Sequence, residues 1–367
     1  MRVVLTGGGT GGHIYPALAV AREVSRQHPQ AAFLYIGSKH GLEAQLVPRA
    51  GFPFQSVEIS GLKRKLSLDN VKTVWKFIRA VAESKRMLRE FKPDVVVGTG
   101  GYVCGPVMYA AAKLGIPTLV HEQNVVPGLT NKFLSRSASK IAVSFSESLS
   151  FFPPAKTVLT GNPRATEVMH GDAEAGRRFL GVDAGKKIVL IFGGSRGARA
   201  INEAVLSMVP HVSDFAGTHF VYVTGDVHYE KISASLRQMG DLPGNLSVLS
   251  FVHNMPDVLA ATHVLVSRAG ASTLAEVTAL GVPSILIPSP YVTNNHQEKN
   301  ARGLEKAGAA EVIVERDLTG QSLLESLTAL LRDQNRWEQM RKSSLALGMP
   351  KAATEIVAQL TELARGK

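Results

Sequence analysis

The sequence predicts an α/β protein made of two Rossmann-like domains, each built on a parallel sheet, that face a cleft. A short apolar run, a glycine-rich turn and a helical pattern occur in this order twice, about 185 residues apart. The first copy has strand-like residues 2–6 followed by GGGTGGH at 7–13, and the second has 187–192 followed by GGSRGA at 193–198. After each copy, short β-branched runs alternate with helical patterns, which is typical of parallel sheets covered by helices on both faces.

The same alternation predicts five strands in each half of the chain. In the first half we predict strands at 2–6, 32–36, 94–98, 117–121 and 140–144, and in the second half at 187–192, 219–223, 246–250, 263–267 and 284–287. The helical pattern after the first glycine turn covers 16–27, and the pattern after the second ends near Met208. Two further helical patterns cover 71–91 and 351–364.

Proline and glycine punctuate residues 153–165, which predicts a domain boundary there. We therefore expect one domain at 1–163, a second at 164–347, and a C-terminal helix within 348–367 that packs back on the first domain.

The composition of the 367 residues excludes several classes of protein. Hydrophobic residues make up 45% and charged residues 19%, a mix that predicts buried cores rather than intrinsic disorder. The single cysteine, Cys104, excludes an intramolecular disulfide, and no zinc-type Cys/His spacing occurs. The apolar run at the N-terminus is too short for a signal peptide, and no run is long enough for a transmembrane helix, so we expect a reducing compartment. Neither a Walker A motif nor an Asp-x-Asp pair is present, and we predict no metal and no cofactor.

Positive charge is concentrated in the N-terminal half. The net charge is +11, with 20 basic and 9 acidic residues up to Pro163 and 21 of each after it. Residues 63–92 alone carry ten bases and three acids. A localised basic field indicates an anionic partner, either a nucleic acid, a phosphorylated ligand or an acidic membrane, whereas merely solvated lysines would be spread evenly.

The predicted helix at 71–91 is amphipathic. Its apolar stripe consists of Val71, Val74, Trp75, Ile78 and Val81, flanked by lysines and arginines. Such a helix can lie in an anionic bilayer interface, but a helix that faces a protein core has the same stripe. The surrounding positive charge favours the membrane, with Val74, Trp75 and Ile78 as the membrane-facing residues.

The first glycine turn has the spacing of a phosphate-binding loop at a helix N-terminus, through Gly7, Gly9 and Gly12. A dinucleotide site would also need an acid at the end of the second strand, and none occurs before Glu43, which argues against NAD. A tight turn without a ligand remains the alternative. His13 follows directly and is either a general base or a residue that caps the turn.

Four further glycine or polar motifs follow predicted strands. Ser195 in GGSRGA can donate a hydrogen bond to a phosphate, and Glu276 in RAGASTLAE at 268–276 can accept from both ribose hydroxyls. Thr273 and Glu276 also have the spacing of a capping box, which is the structural alternative. HEQN at 121–124 and GTGGYVCGP at 98–106 have polar compositions that a loop does not need for structure alone, so we expect both beside a ligand.

Together, GGGTGGH, GTGGYVCGP, HEQN, GNP, GGSRGA, RAGASTLAE and NNHQEKNA resemble, in this order, the motifs of the MurG family, the peripheral membrane glycosyltransferases of bacterial peptidoglycan synthesis. The resemblance runs from Arg2 to about Thr354. It implies a GT-B fold and inverting transfer of N-acetylglucosamine from UDP-GlcNAc to the C4 hydroxyl of MurNAc in undecaprenyl-pyrophosphoryl-MurNAc-pentapeptide (lipid I). It also implies a peripheral location on the cytoplasmic face of the bacterial plasma membrane, and a donor in the C-terminal domain.

The resemblance assigns roles residue by residue. His13 is implied as the general base. The implied UDP-GlcNAc residues are Thr10, Gly11, Gly12, Asn124, Arg164, Ser195, Val252, Ala271, Ser272, Thr273, Leu274, Ala275, Glu276 and Gln297. The implied acceptor and diphosphate loops contain Gly100, Gly101, Tyr102, His121, Glu122 and Gln123. The chain departs from the family pattern G-N-P-V-R, because it reads GNPRA at 161–165 and Arg164 comes one residue early.

Three alternatives remain at the level of the sequence. Another UDP-sugar enzyme of the same fold, such as a UDP-GlcNAc 2-epimerase or a lipid glucosyltransferase, would need the same donor motifs. A non-catalytic membrane-binding subunit would need only the basic half. A NAD oxidoreductase is the most distant, and no nucleic acid is expected as a partner.

Overall fold

The structure, a computed structural model, describes residues 1–61, 68–194 and 197–366. The chain divides into two units. The N-terminal unit consists of Met1–Arg164 together with Lys351–Lys367, and the C-terminal unit is Ala165–Pro350.

The N-terminal unit contains a seven-stranded parallel sheet in the order β3-β2-β1-β4-β5-β6-β7. Its strands are β1 Arg2–Thr6, β2 Ala32–Ser38, β3 Phe54–Val57, β4 Val95–Gly98, β5 Thr118–Glu122, β6 Lys140–Val143 and β7 Thr157–Leu159. Its helices are α1 Gly11–Gln27, α2 Glu43–Arg49, α3 Leu68–Phe91, α4 Cys104–Lys113 and α5 Leu129–Leu134, with 3₁₀ turns at Ser146–Phe151 and Pro154–Lys156.

The C-terminal unit contains a six-stranded parallel sheet in the order β10-β9-β8-β11-β12-β13. Its strands are β8 Lys187–Phe192, β9 Thr218–Val223, β10 Leu246–Leu249, β11 Val264–Ser267, β12 Ser284–Leu286 and β13 Ala310–Val312. The helices from the boundary onward are α6 Arg164–Val168, α7 Ala173–Leu180, α8 Arg199–Met208, α9 Asp226–Gln238, α10 Met255–Ala260, α11 Ala271–Leu280, α12 His296–Lys306, α13 Gly320–Arg332 and α14 Gln334–Leu347. Short 3₁₀ turns lie at Val209–Asp214, Thr293–Asn295 and Glu315–Asp317.

The two parallel α/β sheets confirm the predicted fold class, and all ten predicted strands are present. Three strands were missed, and each of them (β3, β7 and β13) lies at the edge of its sheet. An edge strand has a neighbour on one side only and needs a less continuous apolar run, as Phe-Gln-Ser-Val in β3 illustrates. The predicted start of the first helix was also wrong, since α1 begins at Gly11 rather than at Pro16.

The last helix, α15 Ala352–Arg365, belongs to the N-terminal unit and packs on α1. Its apolar face, with Ile356, Val357 and Leu360 fully buried, joins the core that covers one side of the N-terminal sheet. The Thr354 hydroxyl donates to the Glu23 carboxylate of α1 at 2.9 Å. The chain therefore returns to its first unit after completing the second.

The order of the N-terminal strands brings the predicted motifs together. β1, β4 and β5 are consecutive neighbours, and all run parallel. The loops after Thr6, Gly98 and Glu122 therefore emerge at the same edge of the sheet, where ligands bind in open parallel sheets.

Candidate active site

The glycine motifs that follow β1 and β4 interlock. The Gly8 N–H donates to the Gly100 carbonyl at 3.2 Å. Gly101 has a φ of +85°, and a Cβ at this position would lie 2.2 Å from the Gly8 carbonyl oxygen. A side chain is therefore excluded from Gly101 both by its backbone conformation and by the neighbouring loop. Tyr102 packs over Gly9, where an added Cβ would lie 3.2 Å from its ring.

His13 lies in the first turn of α1, against these two loops. Its Nδ1 is 3.0 Å from the Gly8 carbonyl oxygen and 3.2 Å from the Thr10 hydroxyl. A carbonyl oxygen can only accept, so Nδ1 carries the proton, and in the neutral ring Nε2 holds the lone pair. A Cβ at Gly100 would lie 3.3 Å from Nε2, so the second glycine motif also makes room for the imidazole. The contact through Nδ1 orients the ring in the tautomer that a base acting through Nε2 requires.

The side chains that end β5 have a structural purpose, contrary to the expectation from the sequence. His121 is fully buried, and its Nε2 donates to the Gly161 carbonyl at 3.0 Å. Burial lowers the pKa of His121 to about 4, so the ring is neutral at pH 7. Gln123 is also buried and donates through Nε2 to the Thr99 carbonyl at 2.5 Å.

Glu122 organises the loop between β5 and α5. Its buried carboxylate accepts from the Asn124 N–H at 3.0 Å, the Gly128 N–H at 3.1 Å and the Asn131 amide at 2.8 Å. Burial raises the pKa of Glu122, and these donors counteract the rise. The expectation that the HEQN side chains are not needed for structure was therefore wrong for His121, Glu122 and Gln123. The fourth residue of the motif, Asn124, is half-buried.

Arg164 follows the GNP turn and reaches α1. Its backbone N–H donates to the Asn162 side-chain oxygen at 3.1 Å, and its guanidinium lies 5.5 Å from the ring centroid of Tyr15. Tyr15 is in the first turns of α1, two residues after His13. The arginine that comes one residue early in the sequence is thus held beside the helix that carries the first glycine turn.

The C-terminal unit contains a cavity of about 570 Å³ at the carboxyl ends of β8 and β11. This volume lies within the range of small-molecule sites. Several residues that line the cavity were predicted as site residues or lie in the predicted glycine turns: Gly193, Gly194, Gly197, Gly270, Thr273 and Gln297. Ser195 lies outside the described residues.

Helix α11 begins at Ala271, with Gly270 as its N-cap. Thr273 and Glu276 are therefore the third and sixth residues of the helix, and neither can form the capping box that the sequence allowed. Glu276 is buried one turn after Thr273, and Leu274 points into the core.

Other predicted donor residues have distinct positions. Gln297 accepts the Ser289 N–H through Oε1 at 2.9 Å, which leaves its amide nitrogen as a donor toward the cavity. The Val252 side chain is buried, so only its backbone could contact a base. Ala271 is buried at the start of α11, whereas Ser272 and Ala275 are half-buried on the same helix.

The cavity lining also includes residues that were not predicted as site residues, among them Arg199, Arg268, Ser289, Tyr291 and Glu315. The Arg268 guanidinium donates to the carbonyls of Ile287 and Pro288 at 3.1 and 3.3 Å, and it pairs with the Glu315 carboxylate. Arg268 stands within a motif that the sequence singled out, but Glu315 follows β13, an edge strand that was itself missed. Its approach to Arg268 is a property of the fold.

The described ranges contain no cluster of three or more His, Cys, Asp or Glu side chains that could hold a metal ion. In the same ranges, no helix combines the length and the apolarity that crossing a bilayer requires.

Helix α3 exposes most of its predicted apolar stripe. Val74, Trp75 and Ile78 are 54%, 62% and 63% exposed, while Ala80 and Leu88 are fully buried against the sheet. The core-facing alternative is therefore wrong for Val74, Trp75 and Ile78. Val81 is partly buried on the core, and the Val71 side chain lies outside the described part.

Known proteins resemble the chain over its whole length. The glycosyltransferase family 28 N-terminal domain matches residues 3–143, and the family 28 C-terminal domain matches residues 188–356. A Bacillus cereus relative named UDP-N-acetylglucosamine--N-acetylmuramyl-(pentapeptide) pyrophosphoryl-undecaprenol N-acetylglucosamine transferase 1 is 55% identical over 365 residues, covering 100% of each chain. A Halalkalibacterium halodurans transferase of the same name, without the numeral, is 56% identical over 365 residues, again covering 100% of each. The crystal structure of Acinetobacter baumannii MurG is similar with a TM-score of 0.77 at 30% identity, over 98% of this chain and 99% of that one.

The chain belongs to the MurG family of glycosyltransferases.

Membership in the MurG family confirms the GT-B fold that the motifs implied. A UDP-GlcNAc 2-epimerase from Neisseria meningitidis is also similar, with a TM-score of 0.70 over 99% of this chain and 100% of that one. Its identity is only 17%, so it shares the fold alone. The Bacillus cereus and Halalkalibacterium halodurans transferases, in contrast, are identical to this chain at more than half of the aligned residues.

Proposed function

We propose that this chain transfers N-acetylglucosamine from UDP-GlcNAc to the C4 hydroxyl of MurNAc in undecaprenyl-pyrophosphoryl-MurNAc-pentapeptide, and so makes lipid II for peptidoglycan. The observation that carries the proposal is the 55% identity, over the full length of both chains, to transferases named for this reaction. The orientation of His13 supports it, because the reaction needs one group to accept the proton of the hydroxyl.

The proposed chemistry is a single displacement. His13 Nε2 takes the proton of the C4 hydroxyl, and the oxygen attacks the anomeric carbon on the face opposite UDP. The new C–O bond forms as the bond to the UDP oxygen breaks, which inverts the configuration to β1,4. UDP leaves with the electron pair, and the imidazolium afterwards returns its proton to water.

We assign the departing diphosphate to the turn after β8. Gly193, Gly194 and Gly197 surround the cavity just before α8, where backbone N–H groups and the helix dipole favour an anion. Ser195 belongs to the same turn in the sequence. Ribose hydroxyls would bind Glu276, and the sugar would bind Gln297. The resemblance to the family also assigns Arg164, Thr10 to Gly12 and Asn124 to binding of UDP-GlcNAc. Gly100 to Tyr102 would contact the acceptor, and the hydrogen bond from Gln123 to the Thr99 carbonyl would hold their loop. His121 and Glu122 stabilise the neighbouring turns at Gly161 and at Gly128.

The test is release of UDP from UDP-GlcNAc by purified protein, with and without a short-chain lipid I analogue. We expect release only with the analogue, together with a β1,4-linked disaccharide product. Consumption of UDP-GlcNAc without an acceptor would favour an epimerase, and absence of UDP-GlcNAc binding would favour a non-catalytic subunit.

We also propose that the exposed face of α3 binds the anionic cytoplasmic face of the bacterial plasma membrane. Val74, Trp75 and Ile78 protrude from a region that carries ten bases and three acids in residues 63–92. Protruding apolar side chains within a basic field suit a bilayer interface, whereas a nucleic acid site would not need the aliphatic residues.

Replacing Trp75 and Ile78 together by serine should weaken binding to phosphatidylglycerol vesicles by about 10- to 100-fold, because two large apolar side chains no longer enter the bilayer. Vesicle co-sedimentation measures the effect. Phe179→Ser is the matched control, since Phe179 is 50% exposed on α7 in the electrically balanced half. Equal losses in both variants would disprove a specific role for α3.

A further inference from the structure

A carboxylate is buried directly behind the first glycine turn. Glu43, the first residue of α2, is 0% exposed. Its Oε1 accepts from the Ser38 N–H at 2.9 Å and the Ser38 hydroxyl at 2.5 Å. Its Oε2 accepts from the Gly9 N–H at 3.1 Å.

Three glycines make room for this carboxylate. A Cβ at Gly8 or at Gly41 would lie 2.3 Å from one of its oxygens, and a Cβ at Gly37 would lie 2.6 Å from its Cγ. No lysine or arginine of the described ranges forms an ion pair with Glu43, so only neutral N–H and O–H donors hold its oxygens. A buried carboxylate without a cation is costly, so its stabilisation depends on these neutral donors.

The Gly9 N–H and the Gly8 carbonyl belong to the same peptide group. The N–H end of this group donates to Glu43, and the carbonyl end accepts from Nδ1 of His13 at 3.0 Å. A carboxylate on the N–H end polarises the peptide and makes its carbonyl oxygen a stronger acceptor, because hydrogen bonds in a chain reinforce one another. Glu43 therefore acts on His13 through a single peptide group.

We propose that Glu43 is a positioning residue for His13. Through the Gly8–Gly9 peptide it holds the imidazole in the tautomer with the proton on Nδ1, and it stabilises the imidazolium that forms when Nε2 takes the acceptor proton. Glu43 does not exchange a proton with the acceptor or with His13 in this role. The inference rests on the proposed role of His13 as the base, and the two can fail separately.

The first test is Glu43→Gln, which keeps the volume of the side chain. The amide has only one oxygen, whereas Gly9 and Ser38 donate to the two oxygens of the carboxylate. We expect kcat to fall about 10- to 100-fold, the loss typical of a charged hydrogen-bond partner, while KM for UDP-GlcNAc changes less than about twofold. The ¹⁵N chemical shifts of His13 should move from those of a pure Nδ1–H tautomer toward a mixture. Glu43→Asp, one carbon shorter, should give the same pattern if the glutamine variant does not fold.

Ser38→Ala is the matched control. It removes a hydrogen bond from Oε1 of the same carboxylate but leaves the Gly9 contact of Oε2 intact. We expect it to lower the melting temperature while kcat stays within about threefold and the His13 tautomer is unchanged. Equal kcat losses in Ser38→Ala and Glu43→Gln would mean that Glu43 only holds the fold, which would overturn the proposal.

A double-mutant cycle separates the two proposals. If Glu43 acts through His13, Glu43→Gln should not lower kcat further in a His13→Ala background, and an additional loss there would overturn the positioning role. Unchanged turnover in His13→Ala alone would instead overturn the base itself. Loss in His13→Ala with unaffected turnover and tautomer in Glu43→Gln would overturn only the inference about Glu43.

Discussion

His13→Ala should lower turnover with the lipid I analogue at least about tenfold and as much as about 10⁴-fold, the range that a general base contributes. The affinity for UDP-GlcNAc should change little, because the ring is oriented by Gly8 and Thr10 in the N-terminal unit and the donor cavity is in the C-terminal unit. Steady-state UDP release measures turnover, and calorimetry measures the affinity.

His40→Ala is the control for this variant, since His40 is an exposed histidine of the same unit. It should retain the turnover of the parent protein. If His13→Ala also turns over at the parent rate, the proton is taken by another group and His13 has no chemical role.

Glu276→Ala should weaken UDP binding by about 10- to 100-fold, because a carboxylate that accepts from two ribose hydroxyls contributes charged hydrogen bonds. Glu276 cannot instead serve as a helix-capping residue, since α11 begins at Ala271 and Glu276 is its sixth residue. Calorimetry with UDP gives the affinity, and thermal unfolding gives the stability.

Glu298→Ala serves as the control, because Glu298 lies on the neighbouring helix α12 and forms an exposed ion pair with Arg302. It should leave UDP affinity within about twofold. A Glu276→Ala variant that melts at a lower temperature but binds UDP as before would show that Glu276 only stabilises the C-terminal unit.

Much of the fold was predictable because central parallel strands are buried on both faces and must be apolar throughout. β8, with residues Lys187–Phe192, is such a strand, and the sequence predicted both of its ends. The edge strands β3, β7 and β13 were missed because Phe-Gln-Ser-Val and Ala-Glu-Val are interrupted by polar residues and Thr-Val-Leu has only three residues, whereas the fourth edge strand, β10, was predicted. Likewise Glu315 gave no local signal, since its pairing with Arg268 joins residues 47 positions apart.

By itself, the sequence determined the class of the fold, the charge asymmetry and the positions of the glycine turns, because each of these depends on residues that are close together in the chain. Only the tertiary structure decided what the polar side chains around those turns do. His121, Glu122 and Gln123 are buried where β5 ends and form hydrogen bonds within the protein. Glu43, which at the level of the sequence only argued against a dinucleotide site, accepts a hydrogen bond from the peptide group that orients His13. The physical reason is that burial and hydrogen-bond partners depend on which loops the sheet brings together. The strand order β2-β1-β4-β5 brings together loops that lie more than 80 positions apart in the chain, such as those of Gly8 and Gly100.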